Sequence, residues 1–489
     1  MEQLSGLDAS FLNMETPTMF AHVAHLVICE TSTAGIRSFE HLSEIVDSRL
    51  HLFPAYRRRL VEVPLGLDHP YWMEDPDFDL EYHLRHASLP APGTDEQLGE
   101  LVARIMGRPL DRRRPLWEMY IIEGLQGGRM AWLNKIHHCA IDGLSGAELL
   151  VNLLDRTPDP EERPVPERPW KPEEEPSPRT MLARAAVGAA RSPAKTIRLG
   201  RALVGTVGGV RRTGRLPFNL AAVPFFGPKR DNPDAWPVPR PTLLAPRTSL
   251  NVPITAHRRF AFRSFPLDDV KLVKNAFGTT INDVILAVSA GALRAYLSKN
   301  DELPDRPLVA MVPVSVHTED KRAVFGNRVS VLSAPLPVHI EDAVERLHII
   351  SASMEDAKET HKAVGAELLQ DFTHFATPAI AGRAARVAFR TKMMTRTRPI
   401  FNLVVSNVPG PNFPLYLAGA KMLHWYPVSI INDGAGLNIT VHSYNGLLDF
   451  GLLSCREVVP DLWGVMDHVS AAMSELVDAA REAQAVASA

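Results

Sequence analysis

The chain has few cysteines, no long apolar run and no excess of charge of either sign. Its 489 residues include three cysteines, Cys29, Cys139 and Cys455, whose wide spacing excludes a disulfide framework and a paired-cysteine zinc site. The 53 basic and 56 acidic residues give a formal net charge of -3 and no general affinity for nucleic acid. Apolar runs such as residues 284–293 are shorter than the roughly 18 to 20 residues of a membrane-spanning helix. The N-terminus lacks the pattern of a secretory signal. These absences predict a globular protein of a reducing, cytoplasmic compartment.

One strong change of composition divides the chain into two halves. It begins after Asp155 with the stretch RTPDPEERPVPERPWKPEEEPSPRT, and proline at this density predicts an extended crossover because it lacks a backbone N–H. Between Glu175 and Asp231 the chain carries eleven arginine or lysine residues and no acidic residue. The sequence therefore predicts an N-terminal subdomain at 1–155, a proline-rich and basic helical crossover at 156–250, and a C-terminal subdomain at 251–489.

Hydrophobic periodicity predicts alternating helices and strands in both halves. In the first half it favours a strand at 22–30 and helices at 38–50 and 98–106. In the second half, Thr280 is placed to cap a helix, and Asn445-Gly446 between two apolar runs is a strong hairpin signal. This mixture predicts an α/β or α+β fold, with the cleft between the halves as the default site.

The most informative pattern lies at residues 129–154, RMAWLNKIHHCAIDGLSGAELLVNLL. Alternation along the predicted strand places His137 and His138 on opposite faces, so only one of them can face a given cleft. Asp142 and Gly143 mark a tight turn, and the S-x-x-E pattern that follows predicts the capping box of a helix. The segment is thus predicted to form a strand, a turn and a helix.

A histidine held at the end of a strand is suited to proton transfer, because imidazole titrates close to neutral pH. His138 can take a proton from a hydroxyl nucleophile and return it to a leaving group. Three other interpretations remain open. The histidine can be purely structural; His137, His138 and Asp142 can bind a metal, although adjacent strand histidines point apart; or Cys139 can be a nucleophile, although nothing in the sequence indicates a lowered thiol pKa.

The sequence HHCAIDG, from His137 to Gly143, resembles the HHxxxDG motif of the wax ester synthase/diacylglycerol acyltransferase family, relatives of chloramphenicol acetyltransferases and condensation domains. Other stretches along nearly the whole chain resemble the same family: LSGLDASFLNMET, PYWMEDPDFDLEYHL and RPLWEMYIIEGL in the first half, and TINDVILA, VPVS, FGN, SNVPGP and LNITVHSYNGLLDFGLLS in the second. The chain is identified as a member of this family, with one departure at Cys455, where an acidic residue is expected.

The resemblance implies two chloramphenicol acetyltransferase-like subdomains with mixed sheets, and an active site and acyl tunnel at their interface. It implies an enzyme that makes triacylglycerol from diacylglycerol and long-chain acyl-CoA, and also wax esters from fatty alcohols. Acyl-CoA is then a substrate, and no cofactor, metal or nucleic acid is expected. Because the acceptors are insoluble, we expect a cytoplasmic protein on a membrane or lipid-droplet surface, with the basic crossover as one candidate for the attachment.

The resemblance also implies roles for individual residues. His138 would be the general base that deprotonates the acceptor hydroxyl, and His137 would support it. Asp142 would hold the turn through an ion pair with an arginine, and Gly143 would permit that turn. Asn282, close to the predicted helix cap, would donate to a developing oxyanion, or would only cap its helix.

Substrate-binding roles fall on two further stretches. Pro115, Leu116 and Trp117 would line the acyl tunnel or belong to the core. Ser406 and Asn407 would bind substrate or form a structural turn.

Two other functions remain open. A condensation-type acyltransferase would take its acyl group from a carrier protein, but the matches in the second half count against it. A lipid-surface protein without catalysis would keep the fold, but the intact HHCAIDG argues against it, since decay normally removes the base first.

Overall fold

The structure is a computed structural model that describes residues 1–30, 39–141, 153–159, 170–191, 244–315, 329–364, 387 and 390–488. Its strands are β1 (Glu2–Gln3), β2 (His22–Glu30), β3 (Arg58–Val61), β4 (Tyr71–Glu74), β5 (Leu84–Ser88), β6 (Trp117–Leu125), β7 (Arg129–His137), β8 (Arg258–Pro266), β9 (Leu308–Ser315), β10 (Val329–Leu336), β11 (Leu403–Val408), β12 (Tyr416–Leu417), β13 (Ala420–Val428), β14 (Leu437–Tyr444) and β15 (Leu447–Cys455). Its α-helices are α1 (Gly6–Met14), α2 (Phe39–Arg49), α3 (Pro54–Arg57), α4 (Leu80–His83), α5 (Asp95–Met106), α6 (Pro178–Arg191), α7 (Leu267–Ala276), α8 (Ile281–Lys299), α9 (Ala343–Val364), α10 (Met393–Arg396) and α11 (Leu462–Ser488).

The first large sheet has the strand order β12-β13-β2-β7-β6-β5. Its central pair, β2 and β7, is antiparallel, and His22 lies opposite His137. Alternate residues of β7 face two different hydrophobic clusters: Ala131 and Leu133 pack in one, and Met130 and Trp132 in the other. Because β7 is buried on both faces, the position of its last residue is tightly fixed.

The second large sheet has the order β10-β9-β11-β14-β15-β8. In it β11 pairs in parallel with β9 and β14, and the remaining pairs are antiparallel. Helices α8 and α11 pack against each other, and α8 is buried along most of its length. A parallel pair, β5 with β6, also occurs in the first sheet, so both sheets are mixed, as predicted.

Strand β13 belongs to the second half of the sequence but to the first sheet, where it pairs with β2. Its ladder is irregular between Met422 and His424, and just beyond this point the N–H of Trp425 donates to the buried carboxylate of Asp449, 2.6 Å away on β15. Asp449 also accepts a hydrogen bond from Ser264 of β8. The division of the chain at 251 and the division between the sheets therefore do not coincide.

A small sheet, β1-β4-β3, packs against residues 170–191 of the crossover. On α6, Met181 and Ala185 lie one turn apart and are buried against Val61 and Met73. The carboxylate of Glu173 accepts a hydrogen bond from the N-terminal ammonium group at 2.9 Å. This part of the crossover is packed on the first half of the chain.

Within the described ranges, no single helix has the length and apolarity needed to span a membrane. Helices α7 and α8 pass that test together by length and composition, but they are bent by 99° at their junction.

Candidate active site

The histidine pair lies where β7 ends. His137 is the last residue of β7, and its N–H donates to the carbonyl of Leu116 at 2.9 Å. His138 begins a short 3-10 turn, His138–Ala140, and its N–H donates to the carbonyl of Ala21 at 2.8 Å. These two backbone bonds fix the pair between the start of β2 and the stretch that precedes β6.

His137 is almost fully buried, and each of its ring nitrogens faces a polar group. Nδ1 accepts the N–H of Cys139 at 3.1 Å, which fixes the ring proton on Nε2. Nε2 lies 3.3 Å from Oε1 of Glu15. His137 therefore ties the 3-10 turn to a carboxylate at the end of α1 and has no nitrogen left for a metal, so the geometry counts against the metal-site interpretation.

Glu15 is held as a carboxylate in a site from which water is largely removed. Burial alone would raise its pKa, but the hydrogen bond from His137, the charge of Arg112 and the N–H of Ala21 together hold the pKa well below its usual value. Oε1 accepts the N–H of Ala21 at 3.0 Å, and Oε2 accepts from Nη2 of Arg112 at 2.7 Å. The carboxylate thus connects α1, the start of β2 and the loop that carries Arg112.

His138 is half-buried, and its ring stacks on Phe11 of α1, with centroids 4.1 Å apart and planes 17° from parallel. Helix α1 is itself fixed by Ser5, which caps it by accepting the N–H of Asp8. The ring of the predicted base is therefore oriented by the LSGLDASFLNMET stretch, which supplies both Phe11 and Glu15.

Cys139 follows the two histidines in the 3-10 turn and is buried. Burial raises the pKa of its thiol well above the usual value, and the nearby carboxylates of Asp8 and Glu15 raise it further. A thiol in these surroundings is a poor nucleophile. The geometry therefore counts against the interpretation in which Cys139 attacks the substrate.

Behind the histidines, Lys135 and His22 hold the end of α5. The ammonium of Lys135 donates to the carbonyls of Ile105 and Arg108 at 3.1 and 2.6 Å. Burial lowers its pKa to about 8, although Glu118 opposes the shift. His22 bonds through Nε2 to the carbonyl of Met106 at 3.0 Å. The last carbonyls of α5 are thus satisfied by side chains of β7 and β2.

Of the three residues predicted to bind substrate at 115–117, Leu116 contacts the histidine pair directly, through its carbonyl. Trp117 is fully buried on the other face of the sheet, where its ring stacks between Tyr56 and His83 at 4.5 and 4.4 Å. Its indole N–H donates to the carbonyl of Tyr56 at 2.9 Å. Pro115 is buried next to them in the chain.

Asp142 and Gly143 lie outside the described residues. Downstream of them, Asp155 is fully buried and binds Nη2 of Arg49 through both carboxylate oxygens at 2.8 Å. Arg49 also donates to the carbonyl of Leu153. This buried ion pair fixes the far end of the segment that the histidines begin.

Asn282 lies in the first turn of α8 and is half-buried. The helix is capped by Thr280, whose side chain accepts the N–H of Asp283, while Asp283 accepts the N–H of Thr280 at 2.9 Å. None of the hydrogen bonds among the described residues uses the Asn282 amide. Capping is therefore done by its neighbours, which leaves the amide available to a ligand.

Ser406 and Asn407 lie near the end of β11, and both are half-buried. Beyond them, Gly410 packs so closely on β14 that a Cβ atom there would lie 2.3 Å from the carbonyl oxygen of Ser443. The N–H of Gly410 also donates to the Ser443 hydroxyl at 3.2 Å. The end of the SNVPGP stretch is thus packed on the β14-β15 hairpin.

The structure brings together His137, His138 and Leu116 with Glu15 and Phe11, whereas Asn282, Ser406 and Asn407 lie on elements of the second half. Glu15, Phe11 and Arg112 were not predicted as site residues. The available signal was the LSGLDASFLNMET stretch, which carries both a carboxylate and an aromatic ring.

Two family models match most of the chain. Residues 4–285 match the wax ester synthase/diacylglycerol acyltransferase catalytic domain, and residues 325–477 match the WS/DGAT C-terminal domain. A Mycobacterium tuberculosis protein, named provisionally as a diacylglycerol O-acyltransferase, is 37% identical over 98% of this chain and 90% of its own length. The O-acyltransferase WSD of Acinetobacter baylyi is 34% identical over 96% and 95% of the two chains.

Solved structures give the same result. The wax ester synthase/diacylglycerol acyltransferase from Marinobacter aquaeolei VT8 matches with a TM-score of 0.67 and 30% identity, over 98% of this chain and 99% of that one. The first condensation domain of the CDA synthetase matches with a TM-score of 0.53 at 16% identity, over 98% and 96% of the chains, which shows a shared fold alone. The predicted fold class is confirmed. The chain therefore belongs to the wax ester synthase/diacylglycerol acyltransferase family and is an O-acyltransferase.

Proposed function

We propose that this acyltransferase moves a long-chain acyl group from acyl-CoA to the hydroxyl of diacylglycerol, giving triacylglycerol, and also to long-chain alcohols, giving wax esters. The names of its relatives support these substrate classes. The observation that carries the proposal is the arrangement at the end of β7, where Glu15 and His137 hold the turn that presents His138.

In this reaction the imidazole of His138 takes the proton from the acceptor hydroxyl as its oxygen attacks the thioester carbonyl. The carbonyl oxygen becomes an oxyanion in a tetrahedral intermediate. When the carbon–sulfur bond breaks, the imidazolium returns the proton to the sulfur, so that an ester and free CoA leave. The chemistry needs a base and an oxyanion donor and forms no acyl-enzyme, so we expect no cofactor.

We assign the oxyanion contact to the side-chain amide of Asn282. It lies in the first turn of a long helix, where the helix dipole favours negative charge, and its neighbours Thr280 and Asp283 do the capping. We propose that Asp142 stabilises the turn after the histidines through an ion pair with an arginine, and that Gly143 permits the backbone conformation of that turn.

The acceptors dissolve in lipid, so we propose that the enzyme works at the surface of a membrane or lipid droplet and binds there peripherally. Eleven cations without an acidic residue between Glu175 and Asp231 support attraction to anionic headgroups. Arg198, Arg201, Arg211 and Arg212 of this stretch are candidates for the contact and lie outside the described residues.

The test measures free CoA released from palmitoyl-CoA by purified protein with diolein, hexadecanol or buffer alone. Release should require an acceptor, and His138→Ala should lower it by about 10²- to 10⁴-fold, as expected for a lost general base. The matched control is His86→Ala, which removes a half-exposed histidine of β5.

A folded His138→Ala protein with the parent's turnover would contradict the mechanism. Release from an acyl-carrier-protein thioester, but not from palmitoyl-CoA, would instead favour a condensation-type donor.

A further inference from the structure

Four large apolar side chains are exposed on two neighbouring elements of the first half. They are Leu65 and Leu67, at the 3-10 turn Pro64–Gly66, and Leu182 and Val187, on α6, with exposures of 75%, 43%, 37% and 49%. The turn and α6 are in contact. We call these four side chains the apolar patch.

The backbone of Leu65 has an unfavourable conformation, and its side chain is exposed to water. Its φ is 60° and its ψ is 8°, which lies in the left-handed region that favours glycine. Gly66, the next residue, has a φ of 58°. The left-handed backbone is unfavourable for leucine and the side chain is three-quarters exposed, so an apolar phase outside the protein would bury a side chain that the fold leaves largely in water.

Helix α6 separates its two faces clearly. Met181 and Ala185 are buried against the small sheet, whereas Leu182 and Val187 face outward with Arg184. The helix has three arginines and no acidic residue. None of the ion pairs among the described residues involves Arg179 or Arg184, although the carboxylate of Asp68 lies close to the backbone of α6 at Gly188.

We infer that the apolar patch is the part of the protein that inserts into an anionic lipid surface, with Arg179 and Arg184 against the headgroup phosphates. This inference rests on the proposed function, since that function requires contact with lipid-dissolved acceptors. Exposed leucine and valine beside arginines that have no acidic partner among the described residues are typical of interfacial helices. Arg184 contacts the Tyr71 ring, 5.9 Å from its centroid, and Sδ of Met1 at 3.8 Å, and neither contact neutralises its charge. A protein partner would account for the apolar side chains alone, whereas an anionic lipid surface also matches the two cations.

Site-specific labelling tests the insertion directly. All three native cysteines are buried, so a thiol-reactive, environment-sensitive fluorophore can be attached at Leu65→Cys or Leu182→Cys. Vesicles of phosphatidylcholine and phosphatidylglycerol should shift both emissions to the blue. The matched control is Val486→Cys on α11, an exposed valine of the second half, which should not respond. An equal response at Val486, or none at Leu65, would overturn the inference.

A single variant with four substitutions separates vesicle binding from catalytic activity. Changing Leu65, Leu67, Leu182 and Val187 to glutamine should weaken vesicle binding by about tenfold or more, since one fully buried leucine accounts for about that factor. CoA release with a water-soluble short-chain alcohol should stay at the parent rate, and only release with vesicle-borne diolein should fall. Parent-like vesicle binding would refute the insertion site. No release by the parent with any acceptor would instead refute the proposed function.

Leu65→Gly distinguishes a lipid role from a structural one. Glycine adopts the left-handed conformation freely, so this variant should unfold at a higher temperature than the parent while binding vesicles more weakly. Binding as tight as the parent's would contradict the inference. The double variant Arg179→Gln/Arg184→Gln should lose affinity at low salt but approach the parent at high salt, because the headgroup attraction is screened.

Discussion

The sharpest consequence of the site geometry concerns Glu15→Gln. One carboxylate oxygen of Glu15 faces two donors, the N–H of Ala21 and Nε2 of His137, and the other faces the guanidinium of Arg112. A glutamine has one oxygen and one NH₂ group. Whichever way its amide turns, the NH₂ group meets a donor, so one side of the arrangement must be lost.

The loss of stability expected for Glu15→Gln follows from the number of hydrogen bonds that the substitution removes. Hydrogen bonds to charged groups contribute about 1.5 to 3 kcal/mol each. Loss of the hydrogen bond to Arg112 lowers the stability less, because the Arg112 side chain is 37% exposed and keeps its hydrogen bond to the carbonyl of Leu12. We therefore expect the free energy of unfolding to fall by roughly 2 to 4 kcal/mol. We also expect turnover to fall by about 10- to 100-fold, by analogy with the loss that follows removal of the outer hydrogen-bond partner of a metal-bound histidine.

Urea unfolding and initial rates of CoA release check the two expectations on one preparation. The matched control is Glu62→Gln, because Glu62 is 70% exposed and lies 3.8 Å from the same arginine without contacting the histidines. It should behave like the parent. A Glu15→Gln protein as stable and as active as the parent would show that the 3-10 turn is held without the carboxylate.

Three further results are expected. Asp155→Ala leaves Arg49 buried without its partner and should lower the free energy of unfolding by about 3 to 5 kcal/mol in urea titrations; a loss below about 1 kcal/mol would contradict a buried pair. Burial lowers the pKa of His25 and of His83 to about 4, whereas the unfolded chain titrates near 6.5 and therefore takes up protons first on acidification. Stability should thus fall as pH drops from 6.5 towards 4, by about 2 kcal/mol per histidine at pH 5, and equal unfolding free energies at pH 7 and pH 5 would refute this. Asn282→Ala should lower turnover by about 10²-fold without weakening acyl-CoA binding, and an unchanged rate would remove it from the site.

Local signals in the sequence predicted local structure well. The strand at His22–Glu30 is confirmed, and Thr280 caps α8 as predicted. Asn445 and Gly446 form the predicted hairpin turn, with φ values of 43° and 82°. Each of these features depends on residues close together in the chain. The chemistry of the side chains and the spacing of apolar residues therefore predict them without knowledge of the fold.

Contacts between distant residues were not predictable in the same way. Glu15 and His137 meet only because α1 packs under the end of β7, and nothing in either stretch alone indicates this pairing. The same holds for Phe11 and His138, and for β13, which joins the first sheet although it lies in the second half of the sequence. Family resemblance marked the stretch around Glu15 but gave it no role.

The crossover illustrates a different limit. Its composition predicts charge and an extended chain, but composition does not say which residues pack. Met181 and Ala185 are buried against the small sheet because they share a helix face, and this packing leaves Leu182 and Val187 in water. The surface we propose for lipid contact therefore combines the crossover with Leu65, which lies more than a hundred residues earlier in the chain.

The two groups assigned to the reaction come from different halves of the chain. His138 is fixed by contacts with Phe11 and Ala21, all within the first half, whereas Asn282 is fixed by the capped start of α8. Their relative position must therefore be set by whatever joins the two sheets. Strand β13 contributes to this junction, because it extends the first sheet while its Trp425 N–H donates to Asp449 of the second. Helix α5 contributes as well, since it packs on β8. The close approach of the two sheets there leaves no room for a side chain at position 451, where a Cβ atom would overlap the carbonyl oxygen of Pro427. In the proposed mechanism, a glycine and a buried carboxylate remote from the histidines therefore help to set the distance between His138 and Asn282.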